Sequence, residues 1–111
     1  MKIIKKDASS FDLNPAHDGA GTKKVLIADG EIKNIQGITK SCLTPGGMFA
    51  WHCHEDCNEC MFVLASTGTV RDQDGIYPFE PGDLFVFPQG VYHEIKNTGT
   101  ELFKAIYIRT K

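Results

Sequence analysis

His52 and His54 stand two residues apart, and Glu59 follows five residues later. Side chains alternate along a β-strand, so an i, i+2 pair directs both imidazoles to one side. A tight hairpin through residues 55–58 would return the chain and set the Glu59 carboxylate beside the two rings. His93 is a third imidazole much farther along, after Pro88-Gln89-Gly90, and spacing alone does not bring it to the others. Three imidazoles and a carboxylate on one ion would make a borderline-to-hard ligand set. It would suit Fe, Mn, Ni, Co or Zn as a divalent ion, with coordination positions left for water or substrate. The alternative for each histidine is a buried, hydrogen-bonded core residue. His17, in a stretch containing proline and glycine, is expected at the surface.

Three of the four cysteines crowd the same stretch as Cys53, Cys57 and Cys60. Alternation turns Cys53 away from the side of its flanking histidines and Cys60 away from that of Glu59, with Cys57 in the connecting turn. Three roles are open: a separate zinc site completed by Cys42 or a partner, small apolar packing residues, and redox modulation by exposed thiolates. Packing is favoured, because free cysteine is commonly buried.

The elements that must position these residues are short β-rich runs divided by turn residues. KKVLI ends at Asp29-Gly30, a hairpin signal, and EIKNI follows. ITKSCL is closed by Pro45-Gly46-Gly47, and then comes MFAWHCH. ECMFVLA, GTVRD, IYPFE, DLFVF, VYHEIK and LFKAIYIR complete the series. No window keeps a helical apolar period, so the expectation is an all-β sandwich or barrel in one domain over residues 23–111. Residues 1–22 form an irregular or short-stranded lead-in.

Strict alternation in MFAWHCH sets Ala50, His52 and His54 on one face and Phe49, Trp51 and Cys53 on the other. Phe62 and Cys60 would extend that second, apolar face. Such a patch needs cover, and a homodimer is the expected source, with the N-terminal segment as the alternative. Ala50, Met61, Val63 and Ile95 are expected to line a dry, apolar cavity beside the ligands. Arg71 and Tyr107 are the polar residues considered for substrate contact, against ordinary surface or packing roles.

With 111 residues, 41% hydrophobic and 23% charged, the chain has the composition of an ordinary globular domain. A net charge of -2 offers no basic footprint for nucleic acid or an anionic membrane. The N-terminal MKIIKKDASS lacks the apolar stretch of a secretory signal, and no window could span a membrane, so a cytoplasmic location is expected. DGAGTKK lacks the spacing of a phosphate loop.

Gly46-x5-His52-Cys53-His54-x4-Glu59 resembles the first cupin motif, and Gly82-x5-Pro88-Gln89-Gly90-Val91-Tyr92-His93-x3-Asn97 resembles the second. The resemblance spans roughly the central half of the chain and implies a single-domain cupin, a jelly-roll-like barrel. It also implies that His52, His54, Glu59 and His93 stand at the family's metal-ligand positions. One departure is Ser66, where the family carries a glycine; a strand or turn lengthened by two residues, with a bulge, is the expected accommodation. Cupins include isomerases, lyases, decarboxylases and dioxygenases as well as binding modules, so fold alone leaves the reaction open. The first expectation is a metal-dependent enzyme acting by Lewis-acid activation on a compact polar molecule, a keto or hydroxy acid or a sugar derivative. The alternative is a non-catalytic module that anchors a small ligand through its metal.

Overall fold

The computed structural model describes residues 2–8, 14–15 and 21–111. His17 lies outside them. The strands are β1 (Asn14–Pro15), β2 (Thr22–Ile27), β3 (Ile35–Leu43), β4 (Met48–His52) and β5 (Glu59–Ala65). They continue as β6 (Gly68–Arg71), β7 (Ile76–Phe79), β8 (Leu84–Phe87), β9 (His93–Asn97) and β10 (Phe103–Thr110). No helix occurs among the described residues.

The strands form two antiparallel sheets in the orders β1-β2-β3-β10-β5-β8 and β4-β9-β6-β7. The sheets are not closed into a barrel; the molecule is a jelly-roll sandwich. Inward side chains of both sheets supply one core, including Leu43, Phe49, Met61, Val63, Phe79 and Phe103. Alternation holds in β5, where Glu59, Met61 and Val63 are buried and Phe62 and Leu64 are exposed. It holds equally in β9 and through most of β10.

Two local departures from the sequence expectations have identifiable causes. EIKNI is not a strand: residues 31–34 turn, and Asn34 adopts φ 69°, a left-handed conformation that its short polar side chain tolerates. β4 carries a bulge, because Phe49 pairs with Ile95 and His52 with His93, three steps on one strand against two on the other. The extra residue carries both Phe49 and His52 to the inner face. Phe49 is therefore buried and Ala50 exposed, the reverse of strict alternation.

The departure at Ser66 resolves in a similar way. Ser66 takes the left-handed conformation itself, with φ 76°. β5 also holds an extra residue near Leu64, where Lys104 pairs with Ala65 but Ala105 with Val63. Ser66 is held by donating its Oγ–H to Asn97 Oδ1 at 2.8 Å and its amide to Glu101 Oε1 at 3.1 Å. These bonds offset the steric cost of a side chain at positive φ.

The expected β4–β5 hairpin does not form. The two strands belong to different sheets, and residues 53–58 cross the sandwich between them. Trp51 and Phe62 consequently lie on separate outer faces instead of one patch. Trp51 stacks on Tyr92 at 5.8 Å, with the Arg71 guanidinium 4.4 Å from its ring centre.

Candidate metal centre

His52 and His93 enter the sandwich from adjacent strands of the smaller sheet, as direct cross-strand partners. His54 lies just beyond β4 in the crossing segment. That segment is pinned to the turn before β9: Gly90 donates its amide to His54 O at 2.8 Å, and Gln89 donates its amide to Asn58 Oδ1 at 2.8 Å. The Gln89 side-chain amide also donates to Glu55 O. Gly90 takes φ 80° in this turn, a conformation glycine adopts without penalty. The Pro-Gln-Gly segment thus positions His54 as well as His93.

The ligand-type nitrogens of His52, His54 and His93 lie within 4.8 Å of one another. His52 Nδ1 is 2.6 Å from Ala50 O and His93 Nδ1 is 3.0 Å from Val91 O, the same i to i−2 contact in both. Donation of the Nδ1 proton to a carbonyl leaves Nε2 as the lone-pair nitrogen. His93 Nε2 is buried and lacks a hydrogen-bond partner. An orphaned acceptor inside a group of imidazoles fits a divalent cation, which would satisfy the lone pair.

Glu59 projects from the larger sheet across the sandwich, instead of returning beside the histidines in a hairpin. It is 3% exposed, with Oε2 3.4 Å from His54 Nε2 and Oε1 3.8 Å from His93 Nε2. It therefore borders the three-histidine group without sharing its closest spacing. Arg109 Nη1 approaches Glu59 Oε2 at 3.9 Å from the other side. His93 also stacks on Phe87, centroids 3.9 Å apart and rings 10° from parallel. Burial pushes the His93 pKa below its usual value, opposed by the Val91 carbonyl and reinforced by His52. The ring is accordingly neutral near pH 7, as ligation requires.

A cavity of about 170 Å³ adjoins His52, His54 and Glu59. Its wall is not the apolar lining expected. Ile95 borders it, but Ala50 faces outward, and Met61 and Val63 belong to the core. Phe49 borders it because of the β4 bulge, together with Lys23, Thr39, Ser41, Tyr107 and Arg109 from the larger sheet. Among the wall residues Lys23, Thr39, Ser41, Tyr107 and Arg109, the sequence points only to Tyr107. The signal was present for Arg109, which continues the inward series Phe103, Ala105, Tyr107 at steps of two. Arg71 instead faces outward, paired with Glu94 at 3.1 Å.

Among the described residues, no metal-ligand group includes a cysteine. Cys57 is buried, its thiol held protonated by burial and by nearby Asp56 and Glu59. Cys60 is half-buried on the outer face of β5, and Cys42 Sγ lies 2.7 Å from Thr22 Oγ1.

The family model for the cupin domain matches residues 40–109, well over half of the chain. This chain is a cupin. A germin-like protein of rice is 36% identical to it over 73 residues, covering 60% of this cupin and 33% of the relative. The cupin thus matches about a third of the length of that relative. A crystal structure described as a predicted oxalate decarboxylase from Thermotoga maritima superposes with a TM-score of 0.84 at 18% identity, covering 98% of both chains. A putative sugar phosphate isomerase from Acidithiobacillus ferrooxidans gives 0.71 at 29% identity, covering 82% of this cupin and 59% of that chain. No helix among the described residues is long and apolar enough to cross a membrane.

Proposed function

We propose that this cupin is a metal-dependent enzyme acting on a compact polar organic molecule, with one divalent transition metal held by His52, His54, Glu59 and His93. The observation that carries this is the convergence of three imidazoles within 4.8 Å beside a cavity of small-molecule size. A bound divalent metal would supply Lewis-acid polarisation of a carbonyl, carboxylate or hydroxyl. The chain's own part is to hold the Nε2 lone pairs inward through the Ala50 and Val91 carbonyls and to enclose the substrate. Relatives described as a predicted oxalate decarboxylase and a putative sugar phosphate isomerase are compatible with small polar substrates.

The test combines elemental analysis of the purified protein with turnover of a panel of keto acids, hydroxy acids and sugar derivatives. His52→Ala and His93→Ala should each lose most of the metal. Full metal retention in either variant would refute the ligand assignment. Saturable binding of a panel member without product would favour a binding module instead.

We also propose that residues 23–111 form the working domain, with residues 1–22 as a lead-in, and that the protein is a homodimer. Support for the dimer comes from the outer face of the larger sheet. There Ile38, Ile108, Cys60 and Val86 stand in cross-strand register beside Ile106, Phe62 and Leu84. Leu84 and Val86 are 62% and 61% exposed, in a patch of the kind that a second subunit covers. Four free cysteines suit a reducing, cytoplasmic location.

A further inference from the structure

The cavity has two chemically different walls. The smaller sheet and the crossing segment present His52 and His54 with Phe49 and Ile95. The larger sheet presents Arg109 and Tyr107 from β10, Thr39 and Ser41 from β3, Lys23 from β2 and, 3.9 Å from Arg109, the Glu59 carboxylate from β5. Cross-strand pairing makes this second wall continuous: Tyr107 pairs with Thr39, Lys23 with Ser41, and Arg109 with both Gly37 and Glu59. Gly37 stands beside the guanidinium. A Cβ there would stand 3.1 Å from Arg109 Nη2 and would shift the guanidinium by a few tenths of an ångström.

We propose that this wall binds the carboxylate of a small organic acid, with Arg109 and Lys23 as the cationic anchors and the Tyr107, Thr39 and Ser41 hydroxyls as further donors. The proposal rests on the metal-dependent function above for the opposite wall only, where the remainder of the acid faces the histidines. It narrows the substrate class from polar molecules in general to carboxylates.

Three observations carry the choice. Arginine and lysine are donors without acceptor capacity, and a carboxylate is an acceptor without donors, so the two match without an orphaned group. Thr39 and Ser41 are buried at 4% and 6% exposure, and Tyr107 carries a buried hydroxyl that lacks a partner. The Tyr107 phenol is held protonated by burial and by Glu59, so it remains a donor. The third observation is size. About 170 Å³ is close to the volume known to hold a benzene molecule, so the enclosed part of a ligand has roughly six non-hydrogen atoms. That fits a short oxo, hydroxy or dicarboxylic acid, and a sugar phosphate is much larger.

The test is calorimetric titration of the full-length protein, metal-loaded and chelator-stripped, with pyruvate, malonate, inorganic phosphate and glycerol as probes. Pyruvate or malonate should bind the loaded protein more tightly than phosphate does, and glycerol should give no heat. Arg109→Gln should weaken carboxylate binding about ten- to a hundred-fold, the loss expected for a charge-assisted hydrogen bond, with Arg109→Lys in between. Tyr107→Phe, which changes one buried oxygen, should weaken it about three- to ten-fold while metal content per chain stays unchanged.

Wild-type affinity for both acids in Arg109→Gln and Tyr107→Phe would overturn the proposal. So would tighter binding of phosphate, equal binding of glycerol, or no carboxylate binding by the wild type in either state. Failure of the metal-dependent function is separable. A protein that takes up no metal but binds pyruvate or malonate through Arg109 would refute that function and uphold the carboxylate wall.

Discussion

Removing the hydroxyl of Tyr107 should make the ligand-free protein more stable. Tyr107 lies on β10 between Thr39 and Met61, is 6% exposed, and packs edge-on against Phe49 with centroids 6.3 Å apart. Its hydroxyl is buried in the cavity wall and has no hydrogen-bond partner among the protein atoms. Burying a hydroxyl in that state costs about 1–3 kcal/mol. Phenylalanine keeps the ring, its packing and its burial, and deletes only the unsatisfied group. Tyr107→Phe should therefore gain about 1 kcal/mol, a rise in Tm of roughly 4–8 °C for a domain of this size. Thermal and urea unfolding of the chelator-stripped proteins, without added acid, measures it. A Tm lowered by a similar amount would show the hydroxyl to be hydrogen-bonded in solution and would refute the reasoning. The same substitution weakens carboxylate binding, so stability and binding move in opposite directions, as they do where a site holds a polar group ready for its ligand.

Two further substitutions probe the fold and the site separately. Asn97 is wholly buried; it donates to Leu43 O and Glu101 O at 3.0 Å each and accepts from Ser66 Oγ and the Gly99 amide. Asn97→Ala should cost about 3–4 kcal/mol in urea unfolding, since two of these bonds are fully buried, while the metal-to-protein ratio at saturation is kept. A loss below about 1 kcal/mol would contradict that network. For His93, the folded pKa is depressed by burial, so below roughly pH 6.5 the unfolded chain binds more protons than the folded one. Stability of the stripped protein should then fall as pH drops through that range towards the depressed value, and His93→Gln should flatten the fall. An identical pH slope in the variant would count against it. Metal occupancy should decline in the same direction, because protons compete for the imidazoles.

Much of the site is a local property of the chain and was legible there. The ligand types, the His52-x-His54 spacing and the order of the two motifs are one-dimensional facts. Inward placement of Glu59 follows from alternation along an unbroken stretch of β5. Where the backbone deviates, local logic fails. The bulge in β4 returns Phe49 to the cavity and turns Ala50 out, and no residue type in MFAWHCH announces it. Ser66 at positive φ is legible only as a missing glycine; the hydrogen bonds that hold it come from Asn97 and Glu101, far along the sequence.

The sequence by itself determined which side chains stand at cupin spacing: three imidazoles and a carboxylate, with His52, Glu59 and His93 on strands and His54 just beyond β4. Tertiary structure alone decided how the centre is assembled. β4 and β5 separate into different sheets, so Glu59 meets the histidines across the sandwich instead of along a hairpin. β10 inserts between β3 and β5, which sets Arg109 beside Glu59 and Tyr107 beside Thr39. The reason is physical: alternation fixes a side chain relative to its own strand, whereas strand order and facing come from pairing and core burial between distant segments. The polar wall opposite the histidines is a product of that pairing.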